Sequence, residues 1–208
     1  MNRLAQNKIT PSRFKQKLWS LPIWGWVGGG VFLVLWLVLV ILFFAGSLYQ
    51  GTHVNHYIEG LTLFSNPGQE HRQDDIMYDR DVPVGGAHHA VWLNCGIYDE
   101  PVQEENIVHS LEHGAIWLAY QPELPAGQVE LLRDLVRQEH QYFGKPFLIL
   151  APKPNLDVPV IVTAWQMQLK LDNTSDKRLV QFLRRYRNGL FAPEPKADCT
   201  GGVGRPID

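Results

Sequence analysis

The sequence predicts an α+β protein in which a single N-terminal transmembrane helix precedes one compact extracytoplasmic domain, a small sheet flanked by helices. Three observations lead to this fold class. Residues 21–48 contain no charged side chain. After residue 88, amphipathic helical stretches alternate with short apolar runs. The chain has 208 residues, 45% of them hydrophobic and 19% charged, which is enough for one core and too apolar for a disordered chain.

The uncharged stretch Leu21–Leu48 includes the almost purely apolar run Val31–Phe44. A helix of about 20 apolar residues crosses a bilayer core, so the stretch predicts a membrane span. Five basic residues and no acidic residue precede it, and the first charge after it is Glu59. This asymmetry predicts a single-pass protein of the cell membrane with a cytoplasmic N-terminus. A cleaved signal peptide is the alternative, which the length of the apolar run disfavours.

The net charge of −2 is unevenly distributed along the chain. Residues 1–20 carry +5, and the remaining residues hold 14 basic and 21 acidic side chains, a net −7. An acidic body does not suit nucleic acid, whose phosphates require a basic surface. We therefore expect the membrane as a partner, expect no nucleic-acid ligand, and leave a membrane-protein partner open.

Composition and periodicity divide the chain into five segments. They are a basic cytoplasmic segment (1–20), the transmembrane helix (21–48), an irregular membrane-proximal segment (49–87), an α+β core (88–191) and a Pro/Gly-rich tail (192–208). Within the core we predict strands at 90–93, 115–120, 147–152, 158–165 and 169–172, and helices at 102–113, 125–142 and 175–188. Gly114 is predicted to end the first helix, and Ser175 to cap the last.

The candidate site centres on the sequence His109-Ser-Leu-Glu112-His113. On a helix, residues i and i+4 lie on one face about 6 Å apart, so both imidazoles can converge on one ion. His88 follows a Gly-Gly turn and adds a third nitrogen. Such a set suits copper first and zinc second. We predict His88, His109 and His113 as metal ligands, with Glu112 as a neighbouring hydrogen-bond partner or general base.

Other donors are possible, and a structural role is the alternative. His89, His53 and Cys95 could add ligands, whereas His71 and His140 are interpreted as surface residues. Histidines at a helix end also occur as favourable charges against the helix dipole, or as core side chains with one hydrogen bond. On that interpretation the cluster is a buried polar network.

The two cysteines have two interpretations. Outside the cytoplasm thiols usually pair, which favours a Cys95–Cys199 disulfide that fixes the tail. The alternative leaves Cys95 as a soft metal ligand.

The string His109-Ser-Leu-Glu112-His113 also matches the H-x-x-E-H pattern of some zinc peptidases. In those enzymes the helix continues past the motif, whereas Gly114 is expected to end this one. A binding protein is therefore the more expected function, and an enzyme is the less expected one.

Two long motifs, Pro83–Val102 and Val108–Pro125, together with the closing Pro193–Cys199, resemble a bacterial membrane-anchored family, domain of unknown function 3105. The resemblance covers about Thr52 to Pro206. It implies no particular activity. The family pattern has histidines matching His53, His88, His109 and His113 and cysteines matching Cys95 and Cys199.

Taken together, these features predict a membrane-anchored extracytoplasmic domain that binds a transition metal, copper or zinc, through histidines. The alternative is a non-catalytic interaction or assembly domain with a structural histidine network. A metal-dependent hydrolase is a third, less expected function.

Overall fold

The computed structural model describes residues 23–52, 57–144, 146–187 and 189–208. They form two compact units, divided between His56 and Tyr57. The first unit contains helix α1 (Ile23–Thr52), whose side chains from 29 to 44 are exposed except for the half-buried Val40. Among the described residues, no helix combines the length and the apolar character required to cross a bilayer. The basic segment 1–20 lies outside the described residues.

The second unit is a mixed α+β domain, as predicted. Its elements, in chain order, are β1 (Thr62–Leu63), β2 (His71–Arg72), β3 (His88–His89), β4 (Gly96–Ile97), α2 (Glu104–Glu112), β5 (Ile116–Tyr120), α3 (Ala126–Phe143), β6 (Leu148–Pro152), β7 (Val160–Ala164), β8 (Met167–Leu171) and α4 (Lys177–Tyr186). The three predicted helices of the core and its four longer strands are thus confirmed, with ends shifted by at most two residues.

The main sheet has six strands in the order β1-β8-β7-β5-β6-β4. Strand β6 runs parallel to both β4 and β5, whereas β7 is antiparallel to β5 and β8. In the centre, Leu118 of β5 lies opposite Leu150 of β6 and Val162 of β7. Every residue of β5, β6 and β7 is buried, because both faces of the sheet are covered, and such strands are continuous apolar runs in sequence.

Alternate residues of β5 face two separate apolar cores. Ile116 and Leu118 belong to the core that also contains side chains of α3 and α4. Trp117 and Ala119 belong to the core that contains side chains of α2 and the two cysteines. This arrangement places α2, and the histidines on it, on the opposite face of the sheet from α3 and α4.

Two local predictions are wrong. The N-cap of α4 is Asp176 and not Ser175, because the Asp176 carboxylate accepts a hydrogen bond from the Arg178 amide at 2.8 Å. The strand predicted at 90–93 is replaced by the two-residue β3, which pairs with β2 in a separate two-stranded sheet. Of the predicted strand, Leu93 makes an isolated bridge with Val203.

Candidate metal centre

Helix α2 supplies two side chains to the site. All seven residues from Asn106 to Glu112 are buried, so the polar side chains of this helix are enclosed along with the apolar ones. His109 and Glu112 are three residues apart and therefore lie on the same helical face. The pair thus reaches the site as a consequence of helical periodicity alone.

A glycine ends α2 directly after the site residues. Gly114 has φ of +93°, and its amide donates to the Leu111 carbonyl at 2.9 Å, while the Ala115 amide donates to the Ser110 carbonyl at 2.9 Å. These two bonds form a Schellman motif, in which a glycine adopts the left-handed conformation. The predicted glycine stop at Gly114 is confirmed.

A tight Gly-Gly turn positions the third side chain, His88. Gly85 and Gly86 have φ of +135° and +113°, which side chains rarely allow. A Cβ on Gly85 would lie 2.7 Å from a side-chain carbon of Pro67 and 3.1 Å from the Trp165 ring. This close packing fixes the turn and therefore the position of His88, which is fully buried.

The fourth side chain, His71, arrives through strand pairing. Strand β2 is parallel to β3, with His71 opposite His88, and the His88 amide donates to the Glu70 carbonyl at 2.9 Å. The His71 ring stacks on His109, with 5.0 Å between centroids and 25° between planes. The His71 side chain remains 52% exposed, so the site is accessible to solvent on this side.

These residues form a cluster of ligand atoms that could hold a metal ion. Each of His71, His88, His109 and Glu112 offers one such atom, and all four lie within 4.8 Å of one another. We call this set the four-donor cluster. Oε2 of Glu112 is 3.0 Å from Nε2 of His88 and 3.8 Å from Nε2 of His71. For bonds of about 2.0 Å, the ligands of a tetrahedral ion are about 3.3 Å apart, which lies between these two distances.

Hydrogen bonds to backbone carbonyls define the tautomer of both buried histidines in the cluster. Nδ1 of His88 lies 2.8 Å from the Gly86 oxygen, and Nδ1 of His109 lies 2.7 Å from the His89 oxygen. Because a carbonyl oxygen can only accept, each Nδ1 is the protonated nitrogen. In the neutral ring Nε2 then carries a lone pair, and histidines that bind metals are commonly oriented in this way.

The contact between His88 and Glu112 is incomplete without a cation or an additional proton. Nε2 of His88 is buried and has no hydrogen-bond partner among the described residues, although the Glu112 carboxylate is only 3.0 Å away. The lone pair of a neutral imidazole and a carboxylate repel each other at that distance. A buried polar atom without a partner costs about 1–3 kcal/mol, and a bound cation would remove this cost.

The environment of His109 keeps its ring neutral. Burial lowers the pKa of His109 to about 4, against the opposing effect of the hydrogen bond to His89, and the neighbouring imidazoles of His113, His88 and His71 lower it further. At neutral pH the ring is therefore unprotonated at Nε2, as metal binding requires.

His113 lies beside the four-donor cluster and not within it. Its ring centroid is 4.6 Å from that of His109, as their helical spacing predicts. Its Nδ1 donates to the backbone carbonyl oxygen of Asp198 at 2.6 Å, and its Nε2 lies 3.7 Å from a carboxylate oxygen of Glu194. The predicted ligand His113 thus faces the C-terminal tail instead.

Comparison with known families identifies the family of the chain. The model of a family described as "protein of unknown function (DUF3105)" matches residues 70–201. The chain belongs to the DUF3105 family. No curated protein and no solved structure shows a significant match. The whole four-donor cluster lies within the matched residues.

Two other predicted donors of this DUF3105 member, Cys95 and His89, lie outside the cluster. Cys95 is joined to Cys199 in a disulfide, with 5.4 Å between the Cα atoms, and therefore offers no thiolate. His89 contributes its backbone oxygen to His109, while its own Nε2 is buried without a partner among the described residues. His53 lies outside the described residues.

The arrangement differs from that expected of an H-x-x-E-H peptidase, the third function considered. In that mechanism both histidines bind the metal and the glutamate acts as base. Here the Glu112 carboxylate is one of the four clustered donors and His113 is not. The helix also ends at Glu112.

His71 is the site residue that sequence reasoning missed. The sequence predicts a surface residue at this position, and the side chain is indeed half exposed. It belongs to the cluster because two-residue strands pair across a separation of 17 residues in the chain. A histidine in a short, irregular segment gives no periodic signal, so only the pairing of β2 with β3 could have identified it.

Proposed function

We propose that this DUF3105 member is a single-pass membrane protein whose extracytoplasmic domain binds one transition-metal ion at the four-donor cluster. The observation that carries the proposal is the unpartnered, buried Nε2 of His88 beside the Glu112 carboxylate. The anchor and its orientation rest on the uncharged stretch Leu21–Leu48 and the five basic residues before it.

Copper in its cupric form is the ion we propose, ahead of zinc. Three imidazoles and one carboxylate suit Cu²⁺ and Zn²⁺, and neither cysteine has a free thiol to favour Cu⁺. For nitrogen and oxygen ligands, affinity rises from the earlier divalent metals to Cu²⁺ and falls again at Zn²⁺. The same donors would hold zinc where copper is scarce.

The test is metal binding by the full chain in detergent, measured by competition with a chelator for Cu²⁺ and then for Zn²⁺. We expect one tightly bound ion in the wild type and a loss of at least about 100-fold in affinity for His88→Ala and for His109→Ala, more than the loss of a hydrogen-bonding neighbour causes. The matched control is His140→Ala, which removes a half-buried histidine from α3 and should bind like the wild type.

Two results would contradict the proposal. One is wild-type affinity in both histidine variants, and the other is the absence of tight binding in the wild type. Circular dichroism of each variant shows whether it is folded. If an alanine variant unfolds, Glu112→Gln replaces it, because that substitution keeps the shape of the side chain and removes the carboxylate.

A structural histidine network at an interaction domain is the second candidate. It is favoured by hydrogen bonds that join α2 to two other segments, because His109 donates to the His89 carbonyl and His113 to the Asp198 carbonyl. His88 donates to the Gly86 carbonyl within its own turn. This function predicts that the same substitutions lower the melting temperature equally with and without metal. The proposed metal centre predicts that added Cu²⁺ raises the melting temperature of the wild type alone.

A further inference from the structure

His113 has the same hydrogen-bonding arrangement as the buried histidines of the four-donor cluster. It is 4% exposed, and its Nδ1 donates to the Asp198 oxygen at 2.6 Å. Since the carbonyl oxygen can only accept, Nε2 of the neutral ring carries the lone pair. A helix-terminal histidine oriented in this way is prepared to bind a cation through Nε2.

A carboxylate faces that nitrogen from the C-terminal tail. Oε2 of Glu194 lies 3.7 Å from Nε2 of His113, and the Glu194 side chain is 62% exposed. The tail is held there by its backbone. The Glu194 amide donates to the backbone carbonyl oxygen of Glu112 at 3.0 Å, and the Lys196 amide donates to the backbone carbonyl oxygen of His113 at 3.2 Å. The carboxylate is therefore both anchored near His113 and open to solvent.

The pair of His113 and Glu194 adjoins the four-donor cluster at His109, and the Trp92 ring lies beside both imidazoles. The His113 and His109 ring centroids are 4.6 Å apart, and the Trp92 ring lies 4.9 Å from His113 and 5.7 Å from His109. An ion bound at His113 and Glu194 would thus lie next to His109, which is a member of the cluster.

We infer that His113 and Glu194 form a second, solvent-facing metal position from which Cu²⁺ enters the four-donor cluster. This inference rests on the proposed function. Two protein ligands completed by water bind an ion weakly, whereas the four donors of the cluster, three of them buried, hold it tightly, so the ion moves inward. It exchanges its waters, the His113 imidazole and the Glu194 carboxylate for the four donors of the cluster.

The test measures loading rate and affinity separately in the full chain in detergent. Cu²⁺ is mixed rapidly with the protein, and quenching of tryptophan fluorescence reports its arrival beside Trp92. For Glu194→Gln we expect loading about tenfold slower, at the lower end of the rate effects of local charge. The final affinity should stay within about twofold of the wild type, since independent sites are nearly additive. Glu194→Asp, which keeps a carboxylate, should restore part of the rate.

The matched control is Glu123→Gln, which removes the same charge from an exposed position between β5 and α3 and should load at the wild-type rate. A second readout is a titration beyond one equivalent. Electron paramagnetic resonance should show a second, weaker Cu²⁺ signal in the wild type that is absent from Glu194→Gln.

Three outcomes would overturn the inference. If Glu194→Gln loads like the wild type and keeps the second signal, the entry position is wrong and the four-donor cluster stands. If Glu123→Gln slows loading equally, overall charge and not a site explains the effect. If the wild type binds no Cu²⁺ tightly, the proposed function and this inference both fail.

Discussion

The carboxylate of Glu112 separates the metal-binding and structural interpretations of the site better than any histidine does. In Glu112→Gln the amide nitrogen can donate to Nε2 of His88, which has no hydrogen-bond partner among the described residues. We expect the metal-free variant to melt at the wild-type temperature or above it, because a buried polar atom gains a hydrogen bond. Its Cu²⁺ affinity should fall at least about 100-fold, because an anionic ligand is lost.

The measurement pairs melting curves of the metal-free proteins with chelator competition, and Glu123→Gln is the control for charge. If Glu112→Gln lost stability and kept wild-type affinity, the carboxylate would be structural and the cluster assignment wrong.

At this scale the sequence predicts what local geometry determines. His109 and Glu112 share a helical face by periodicity, and the Gly85-Gly86 turn indicates a sharply placed His88. The choice of His71 over His113 depends on strand pairing and on where the tail lies. Neither of these can be obtained from spacing along the chain.

Among the elements, the cap of α4 gives a stability prediction with a defined pH dependence. The carboxylate of Asp176 accepts hydrogen bonds from the Arg178 amide and side chain, and the side-chain bond to Arg178 is the main cause of a lowered Asp176 pKa. We expect Asp176→Ala to lower the free energy of unfolding by about 1 kcal/mol, the usual effect of losing an N-cap.

The pKa of Asp176 is lower in the folded than in the unfolded protein. Its contribution is therefore complete above the unfolded pKa, about 3.9, and disappears as the pH falls through the folded pKa. Urea unfolding at pH 7 and at a series of lower pH values measures this difference. Asp176→Asn keeps a capping oxygen and should lose less stability at pH 7. Equal losses for the alanine variant at pH 7 and well below the folded pKa would contradict the assignment.

The elements differ in how far sequence could predict them. Strands β5, β6 and β7 are buried on both faces, so each is a continuous apolar run that the sequence reveals. The strands β1 to β4 have two residues each. These strands form only by pairing with other strands, and a two-residue strand has no periodicity of its own.

On the scale of the whole molecule, the C-terminal tail connects the end of α2, beside the four-donor cluster, to the rest of the domain. The Asp198 oxygen holds His113, and the adjacent Cys199 is tied to Cys95 across 104 residues of sequence. Beyond the disulfide, the Val203 amide donates to the Trp92 oxygen at 2.9 Å. The tail thus packs along the C-terminal end of α2, an arrangement that composition alone, rich in proline and glycine, predicts only as an extended segment.

Removing the disulfide should therefore test the stability of the domain and the entry position together. A loop of about 100 residues predicts up to about 4–5 kcal/mol of stabilisation in the chain-entropy model, so Cys95→Ala/Cys199→Ala should unfold at a clearly lower temperature. Since Asp198 neighbours Cys199, the same variant should load Cu²⁺ more slowly when measured well below its melting temperature. In melting curves recorded without copper, reductant should lower the melting temperature of the wild type and leave that of the variant unchanged. Equal melting temperatures with and without the disulfide would mean that hydrogen bonds alone fix the tail over α2.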